Sequence, residues 1–232
     1  MIWNMIIGND KYFNIGNTER AMIIMNKKKI LAIQGSFKNN GITSAMLKYA
    51  VDESKKAGYD VEYIRLHDHR IEYCRGCRKC FETGECVIKD DDMTQISKSI
   101  KDADVIILAS PVYWANVPAI VKNLFDRMSG TSMEETNTFP KPRLSGKKYI
   151  LLTACNTPMP FATFCGQTTG LKKAVKEYFK TSGISCIGIV VCDNTSKRKG
   201  VPSVKLNQIQ RLIRKIKFQF NVQRGIEICW YS

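Results

Sequence analysis

The sequence predicts a doubly wound α/β fold built around one five-stranded parallel sheet. Short apolar runs that are typical of buried strands alternate along the chain with segments of helical periodicity. The spacing between successive strands leaves room for a crossover helix, which favours parallel strands covered on both faces. The strand order expected for five such units is 2-1-3-4-5, and a ligand then binds beyond the carboxyl ends of the first and third strands.

The predicted strands are apolar runs bounded by polar or turn-forming residues. The clearest is Val105-Ile-Ile-Leu-Ala109, which has no polar side chain and is therefore expected to be buried on both faces of the sheet. In chain order, strands are predicted at residues 30–34, 61–66, 105–109, 148–153 and 184–192.

The predicted helices lie between these strands and after the last one. In chain order they cover residues 43–56, 92–101, 117–128 and 167–181, and a final helix begins at Pro202. The alternation predicts a single domain of residues 27–218, which carries a cysteine-rich loop at 74–86. Residues 1–26 lack clear periodicity and are expected to be an N-terminal extension, and residues 219–232 are expected to be a C-terminal tail.

The chain is strongly basic, with 36 Lys and Arg against 21 Asp and Glu and a formal net charge of +15. Residues 195–224 contain nine basic residues and no acidic one. The last predicted helix lies in this segment, where apolar residues recur at helical spacing at Leu206, Ile209, Ile213 and Ile216, so its basic side is expected to be a solvated face. No aromatic platform accompanies it, so nucleic-acid binding is less favoured than an anionic dinucleotide or an acidic protein.

Apolar runs as short as Val105–Ala109 are far below the length of a membrane-spanning helix, and no membrane anchor is expected. The nine cysteines are not arranged like those of a small secreted scaffold, which favours reduced thiols and a cytoplasmic location. Five of them lack clustering and are expected to be packing residues: Cys155, Cys165, Cys186, Cys192 and Cys229.

The other four cysteines lie within thirteen residues at Cys74, Cys77, Cys80 and Cys86. Their C-x2-C-x2-C-x5-C spacing allows one loop to direct several thiolates at one centre, as in iron–sulfur proteins. Zinc also accepts four cysteines, and a reduced cysteine turn without metal has the same spacing. His67 and His69 precede this loop and are interpreted as solvated turn residues.

A loop rich in Gly and hydroxyl residues follows the first strand, Gly35-Ser-Phe-Lys-Asn-Asn-Gly-Ile-Thr-Ser44. It leads into a helix, whose first N–H groups can receive a phosphate. The loop lacks both the G-K-[ST] of a Walker loop and a G-x-G-x-x-G fingerprint, so a monophosphate fits better than a triphosphate or a dinucleotide. The alternative is an ordinary strand–helix turn with Thr43 or Ser44 as N-cap.

A second loop, Ser110-Pro-Val-Tyr-Trp-Ala-Asn-Val-Pro118, follows the third strand at the other side of the predicted crevice. Its two prolines restrict the backbone, Tyr113 and Trp114 offer flat aromatic surface, and backbone amides can hydrogen-bond the edge of a planar heterocycle. These features suit the isoalloxazine ring of a flavin. The alternative is that Tyr113 and Trp114 belong to a core or to a dimer interface.

These motifs resemble the NADPH-dependent FMN reductase family of the flavodoxin-like superfamily, and the cysteine run resembles its iron–sulfur flavoprotein branch. The resemblance covers roughly residues 29–216. Two positions differ from the pattern of the branch: Ile42 stands where an Asn is common, and Phe37-Lys38 replaces a common Pro-Arg pair.

The resemblance implies a flavodoxin-like fold that binds FMN and is reduced by NAD(P)H. The implied FMN-binding residues are Ser36, Lys38, Thr43, Ser44, Pro111, Val112, Tyr113, Trp114, Asn116 and Asn156. The implied ligands of a [4Fe–4S] cluster are Cys74, Cys77, Cys80 and Cys86. No acid–base catalytic residue is implied, because the flavin itself accepts the electrons.

The resemblance further implies a homodimer or homotetramer and electron transfer to a ferredoxin-like carrier or a small-molecule acceptor. Two alternatives remain at this point. One is a flavin or quinone reductase without a cluster, and the other is a zinc-stapled flavodoxin-like binding module without turnover.

Overall fold

The computed structural model describes residues 27–227, with side chains described through residue 216. The predicted N-terminal extension 1–26 and the last residues of the predicted tail, 228–232, lie outside the described residues. The strands are β1 Lys29–Gln34, β2 Asp60–Arg65, β3 Val105–Pro111, β4 Met133–Glu134, β5 Lys141–Pro142, β6 Lys148–Ala154 and β7 Ser185–Cys192.

The helices agree with the predicted periodicity to within a few residues at the long elements. They are α1 Ile42–Lys56, α2 Lys79–Thr83, α3 Met93–Asp102, α4 Ala119–Arg127, α5 Ser129–Ser132, α6 Phe161–Phe164, α7 Gln167–Thr181 and α8 Ser203–Glu227. Two 3₁₀ turns cover Leu66–Asp68 and Thr195–Lys197. The boundary predicted at residue 218 therefore falls within a helix, since α8 continues to Glu227.

Five strands form one sheet in the order β2-β1-β3-β6-β7, and every adjacent pair is parallel. Counted along the sheet strands alone, this is the predicted order 2-1-3-4-5, and the predicted fold is confirmed. The short strands β4 and β5 form a separate antiparallel pair. After β1 the chain passes to the edge strand β2 and then returns to β3 on the other side of β1. The loops that follow β1 and β3 therefore lead in opposite directions and leave a crevice between them at the carboxyl ends of these strands.

Two apolar layers cover the sheet because alternate side chains of each strand point to opposite faces. On one face, Ala32 and Ile107 belong to a buried cluster with residues of α1 and α8. On the other, Leu31 and Ile106 belong to a buried cluster with residues of α3, α4 and α7. Ile209, Ile213 and Ile216, which recur at helical spacing in the sequence, form the buried face of α8.

Candidate functional site

The loop between β1 and α1 lies at the carboxyl end of β1, where the prediction placed a phosphate site. Gly35 donates its N–H to the carbonyl of Ala109 on β3 at 2.8 Å, which ties the start of the loop to the neighbouring strand. A Cβ atom on Gly35 would lie 2.2 Å from Cγ2 of Val121 on α4. The loop can therefore lie this close to α4 only because residue 35 has no side chain.

The loop offers a series of unused backbone donors. Within the described part of the chain, none of the N–H groups of residues 36–44 donates to a protein acceptor. Helix α1 begins after Gly41 as N-cap, and no side chain caps it. The alternative that Thr43 or Ser44 caps the helix is therefore wrong, and the first turn of α1 keeps the free N–H groups that bind anions.

The predicted phosphate-site side chains differ in their availability. Ser36 and Ser44 are buried, and their hydroxyls both donate to the carbonyl of Lys38, at 3.5 and 2.5 Å. Thr43 is also buried, at 4% exposure, and its hydroxyl has no hydrogen bond to any described residue. Lys38 is exposed. The loop thus fits a small anion, with Thr43 and Lys38 as the free side-chain donors and the backbone supplying the rest.

The loop after β3 turns sharply between Tyr113 and Asn116. These two residues exchange backbone hydrogen bonds of 2.9 Å, and the intervening Trp114 and Ala115 have positive φ angles of 50° and 58°. Such angles are uncommon for residues other than glycine. A Cβ atom on Gly170 of α7 would lie 2.2 Å from the carbonyl oxygen of Ala115, so α7 presses directly on this turn.

The turn exposes its aromatic side chains. Tyr113 is 52% exposed and Trp114 is fully exposed, so neither belongs to the core of the described chain. Four N–H groups of this loop already have protein acceptors. Val112 donates to the carbonyl of Ala154, Tyr113 and Asn116 donate to each other's carbonyls, and Val117 donates to the side-chain Oδ1 of Asn116. Of the backbone N–H groups predicted to bond the edge of a planar ring, those of Trp114 and Ala115 remain free of protein acceptors among the described residues. Pro111 is the last residue of β3 and precedes this turn.

The loop after β6 completes the crevice edge. Asn156 is exposed, and its Oδ1 accepts a hydrogen bond of 2.7 Å from the Thr195 hydroxyl. Residues 157–160 then lead into the short helix α6, on which Phe161 and Phe164 are 61% and 82% exposed. All the predicted FMN-binding residues therefore lie on the three loops at one end of the sheet, at the carboxyl ends of β1, β3 and β6.

The cysteine loop is held against the same helix that touches the phosphate loop. Asn123 on α4 donates to the carbonyls of Ile71 and Glu72 at 3.2 and 3.3 Å, where the chain enters the loop. Arg127, at the end of α4, donates to Glu72 at 2.6 Å and to the carbonyl of Ile88, where the chain leaves the loop, at 3.2 Å. Helix α4 therefore holds both ends of the cysteine loop.

Arg127 is also paired with a carboxylate, although it is one of the largest completely buried side chains. It forms an ion pair with Asp91 in which both side chains have no exposed surface. Burial acts to raise the pKa of Asp91, but hydrogen bonds from Arg127 and from the N–H groups of Glu72 and Met93 outweigh it and lower the pKa. The pairing of Arg127 with Asp91 is not evident from the sequence, because the two residues lie 36 positions apart.

The middle of the cysteine loop is docked by close backbone packing. Helix α2 carries Cys80 and lies on α5, where a Cβ atom on Gly130 would be 2.2 Å from both the carbonyl carbon and the carbonyl oxygen of Cys80. Arg143 joins the two segments by donating to the carbonyls of Gly130 at 2.6 Å and Phe81 at 3.0 Å. The loop thus has a defined position, although it contains little regular structure.

The four thiols differ in exposure. Cys74 and Cys77 are exposed, and Cys80 and Cys86 are half-buried. Burial raises the pKa of the Cys80 thiol, and the neighbouring Cys86, Cys74 and Cys77 raise it further. Within residues 27–216, where side chains are described, no group of three or more His, Cys, Asp or Glu side chains is arranged to hold a metal ion. The thiols are therefore neighbours but do not form a ligand set in this structure.

Comparisons with known proteins agree with this geometry. The family model described as NADPH-dependent FMN reductase matches residues 28–156, which is more than half of the chain. An iron-sulfur flavoprotein of Archaeoglobus fulgidus is 41% identical over 100 residues, which cover 43% of this chain and 45% of that protein. An iron-sulfur flavoprotein of Methanocaldococcus jannaschii is 40% identical over 99 residues, which cover 43% of this chain and 51% of that protein.

The matched segment spans about half the length of these curated relatives. Among solved structures, an NAD(P)H:quinone oxidoreductase from Methanothermobacter marburgensis superimposes with a TM-score of 0.66 at 15% identity, over 82% of this chain and 99% of that one. This likeness is one of fold. Among the described helices, none is long and apolar enough to cross a membrane.

Proposed function

Because the chain belongs to the NADPH-dependent FMN reductase family, we propose that it is an oxidoreductase that binds FMN and takes electrons from NAD(P)H. The observation that carries this proposal is the unbroken series of unused N–H groups from residue 36 to residue 44, which ends at an uncapped helix. Such a series is suited to a phosphate monoester. The exposed aromatic turn at Tyr113 and Trp114 lies across the crevice, where an isoalloxazine ring would be placed.

In this proposal the protein binds and orients the flavin, and FMN supplies the electron-transfer chemistry. The backbone of residues 36–44 and the Thr43 hydroxyl bind the phosphate. The free N–H groups of Trp114 and Ala115 face the ring edge, and the close contact of Gly170 with Ala115 fixes that turn. Pro111, Val112, Asn116 and Asn156 shape the remaining walls of the site.

We further propose that Cys74, Cys77, Cys80 and Cys86 bind a [4Fe–4S] cluster. The support is their spacing and the iron-sulfur flavoproteins to which the chain is similar. Because the thiols do not converge in this structure, the proposal requires the loop to close around the metal. The acceptor would then be a ferredoxin-like carrier or a small molecule.

A second candidate is a flavin or quinone reductase whose cysteine loop holds no cluster. The likeness in fold to the solved NAD(P)H:quinone oxidoreductase supports this candidate. A third candidate, in which zinc staples the loop of a module without turnover, predicts bound zinc and no flavin.

We also propose a cytoplasmic homodimer or homotetramer. Large apolar side chains stand exposed at Trp114, Phe139 and Phe164, as is common where subunits meet. Size-exclusion chromatography with light scattering tests the assembly, and a monomer at all concentrations would contradict it.

The deciding experiment is a composition analysis of protein purified without oxygen. FMN, iron, acid-labile sulfide and zinc are measured per chain, and the absorbance of the bound flavin is followed after addition of NADPH. One FMN that is bleached by NADPH supports the oxidoreductase, and the absence of bound or bindable FMN contradicts it. About four irons and four sulfides per FMN support the cluster, whereas FMN without iron supports the reductase that lacks it.

A further inference from the structure

The phosphate loop is held in place by its carbonyl groups. Three successive carbonyls each accept a side-chain donor: Ser36 from Gln34 Nε2 at 3.0 Å, Phe37 from Arg65 Nη2 at 2.5 Å, and Lys38 from Ser44 Oγ at 2.5 Å. In a trans peptide the carbonyl of one residue and the N–H of the next point in opposite directions. Each held carbonyl therefore directs the following N–H away from its donor, and these N–H groups are among the unused ones.

Arg65 differs from the other two donors because it does not belong to the loop or its flanks. It lies at the end of β2, 28 residues after Phe37 in the chain. Its guanidinium lies 5.6 Å from the centroid of the Phe37 ring and also pairs with Asp68, and its side chain is only 14% exposed. Arg65 thus has a fixed position between the strand end and the loop.

Phe37 is held from a second side by His67. The two rings meet edge to face with centroids 5.2 Å apart. His67 is an exposed residue of the 3₁₀ turn, as expected from the sequence, and it also contacts the loop. Phe37 nevertheless remains 67% exposed. Its ring therefore adds little core burial, and the contacts from Arg65 and His67 act mainly on the conformation of the loop.

We infer that Arg65 is a positioning residue for the phosphate loop and that it makes the site select phosphorylated flavin over riboflavin. Arg65 holds the Phe37 carbonyl and so directs the N–H of Lys38 toward the phosphate position. Asp68 pairs with its charge, so Arg65 acts on the loop through the Phe37 carbonyl. This inference rests on the proposed FMN site and adds a residue of β2 to it.

The selectivity follows from which part of the ligand the loop contacts. FMN and riboflavin share the isoalloxazine ring and the ribityl chain and differ only in the phosphate. A residue that acts through the phosphate loop therefore changes the affinity for FMN and leaves that for riboflavin nearly constant. A residue whose loss merely loosens the fold weakens both ligands alike.

The test is to titrate flavin-free protein with FMN and with riboflavin and to compare the ratio of the two dissociation constants. For Arg65→Ala we expect the FMN affinity to fall roughly tenfold or more, since the loop N–H groups lose the orientation in which they donate to the ionised phosphate. The riboflavin affinity is expected to change less than about threefold. For Arg65→Lys, which keeps the charge without the planar fork, we expect an intermediate ratio.

Arg211→Ala is the matched control, because Arg211 is an exposed residue of α8 on a part of the chain remote from β2 in sequence. It removes the same charge and should leave both affinities unchanged. Thermal unfolding of each variant shows whether the fold is intact, and if Arg65→Ala cannot be purified, the ratio is measured on Arg65→Lys alone.

An unchanged FMN-to-riboflavin ratio in the Arg65 variants would overturn the inference, whether both affinities stay constant or both fall together. Failure of the wild-type protein to bind either flavin would instead contradict the proposed function. The two failures are therefore distinguishable in one set of titrations.

Discussion

Arg127 and Asp91 form an ion pair whose two side chains are completely buried, at the point where helix α4 meets the end of the cysteine loop. Arg127 also donates to the carbonyls of Glu72 and Ile88, so one guanidinium contacts both ends of that loop. A buried charge that keeps its partner and its hydrogen bonds is tolerated, whereas one that loses its partner is costly. The loop is therefore expected to depend on this pair.

Replacing Asp91 by Asn should destabilise the protein by about 3–5 kcal/mol, because the charge of Arg127 then stays buried without a counter-ion. Unfolding in urea, followed by circular dichroism, measures the change. Asp126→Asn is the matched control, since its ion pair with Lys122 is exposed and should be worth less than about 1 kcal/mol. Equal losses in the two variants would contradict the assigned importance of the buried pair.

The contribution of Asp91 should also depend on pH. Its folded-state pKa is lowered from the ordinary value of 3.8, so its contribution to stability is present in full above that value. It is lost as the pH falls through the lower, folded-state pKa. The stability difference between the wild type and Asp91→Asn should accordingly be constant near neutral pH and narrow only in acid below 3.8. A difference that narrows at neutral pH would assign the effect to another group.

Replacing Gly130 by Ala should displace α2 from α5, because the new methyl group would overlap the backbone of Cys80. We expect a loss of about 1–3 kcal/mol in urea unfolding, together with faster proteolytic cleavage within residues 74–86. Gly200→Ala is the control, since no atom lies within 4 Å of the added methyl group. Resistance of the Gly130→Ala loop to proteolysis would show that the two helices separate easily.

Replacing Gly35 by Ala should weaken FMN binding roughly tenfold, since the added methyl group would overlap Cγ2 of Val121 and shift the phosphate loop. Fluorescence titration with FMN measures the effect. Adding Val121→Ala to the same protein removes the overlapping atom and should restore part of the affinity. Without such rescue, the loss could not be assigned to crowding by Val121.

Replacing Thr43 by Val keeps the volume of the side chain and removes the hydroxyl that has no described partner. We expect FMN to bind up to about tenfold more weakly, while riboflavin binds as before. Thr94→Val, at an exposed position of α3, is the control. Unchanged FMN affinity in Thr43→Val would indicate that the backbone N–H groups suffice for the phosphate.

The long elements could be predicted from the sequence because their information is local. The apolar run Val105–Ala109 and the helical spacing of Ile209, Ile213 and Ile216 each indicate which of their own residues are buried. The predicted sheet order rests on the number of such units and on their order along the chain. The short helices α2 and α5 were not predicted, since they have too few residues to show periodicity and are stabilised by mutual contact.

The contacts that hold the loops could not be predicted because they join residues distant in the chain. Arg65 and Phe37 are 28 residues apart, and Arg127 and Asp91 are 36 apart. Each of these residues taken alone resembles an ordinary surface charge or turn residue. The occupied N–H groups of Val112 and Tyr113 were missed for a related reason, since a tight turn with positive φ at Trp114 and Ala115 has no recognisable sequence signal when glycine is absent.

Helix α4 also sets the distance between the phosphate loop and the cysteine loop. Val121 sits against the phosphate loop at one end, and Arg127 fastens the cysteine loop at the other, roughly 9 Å further along the axis at the usual rise of 1.5 Å per residue. A helix this short bends little, so the separation of the two loops is set by its length. An insertion or deletion within α4 would change the position of both loops at once. Grafting either loop onto another scaffold would require this helix as well, because the helix sets the distance between them.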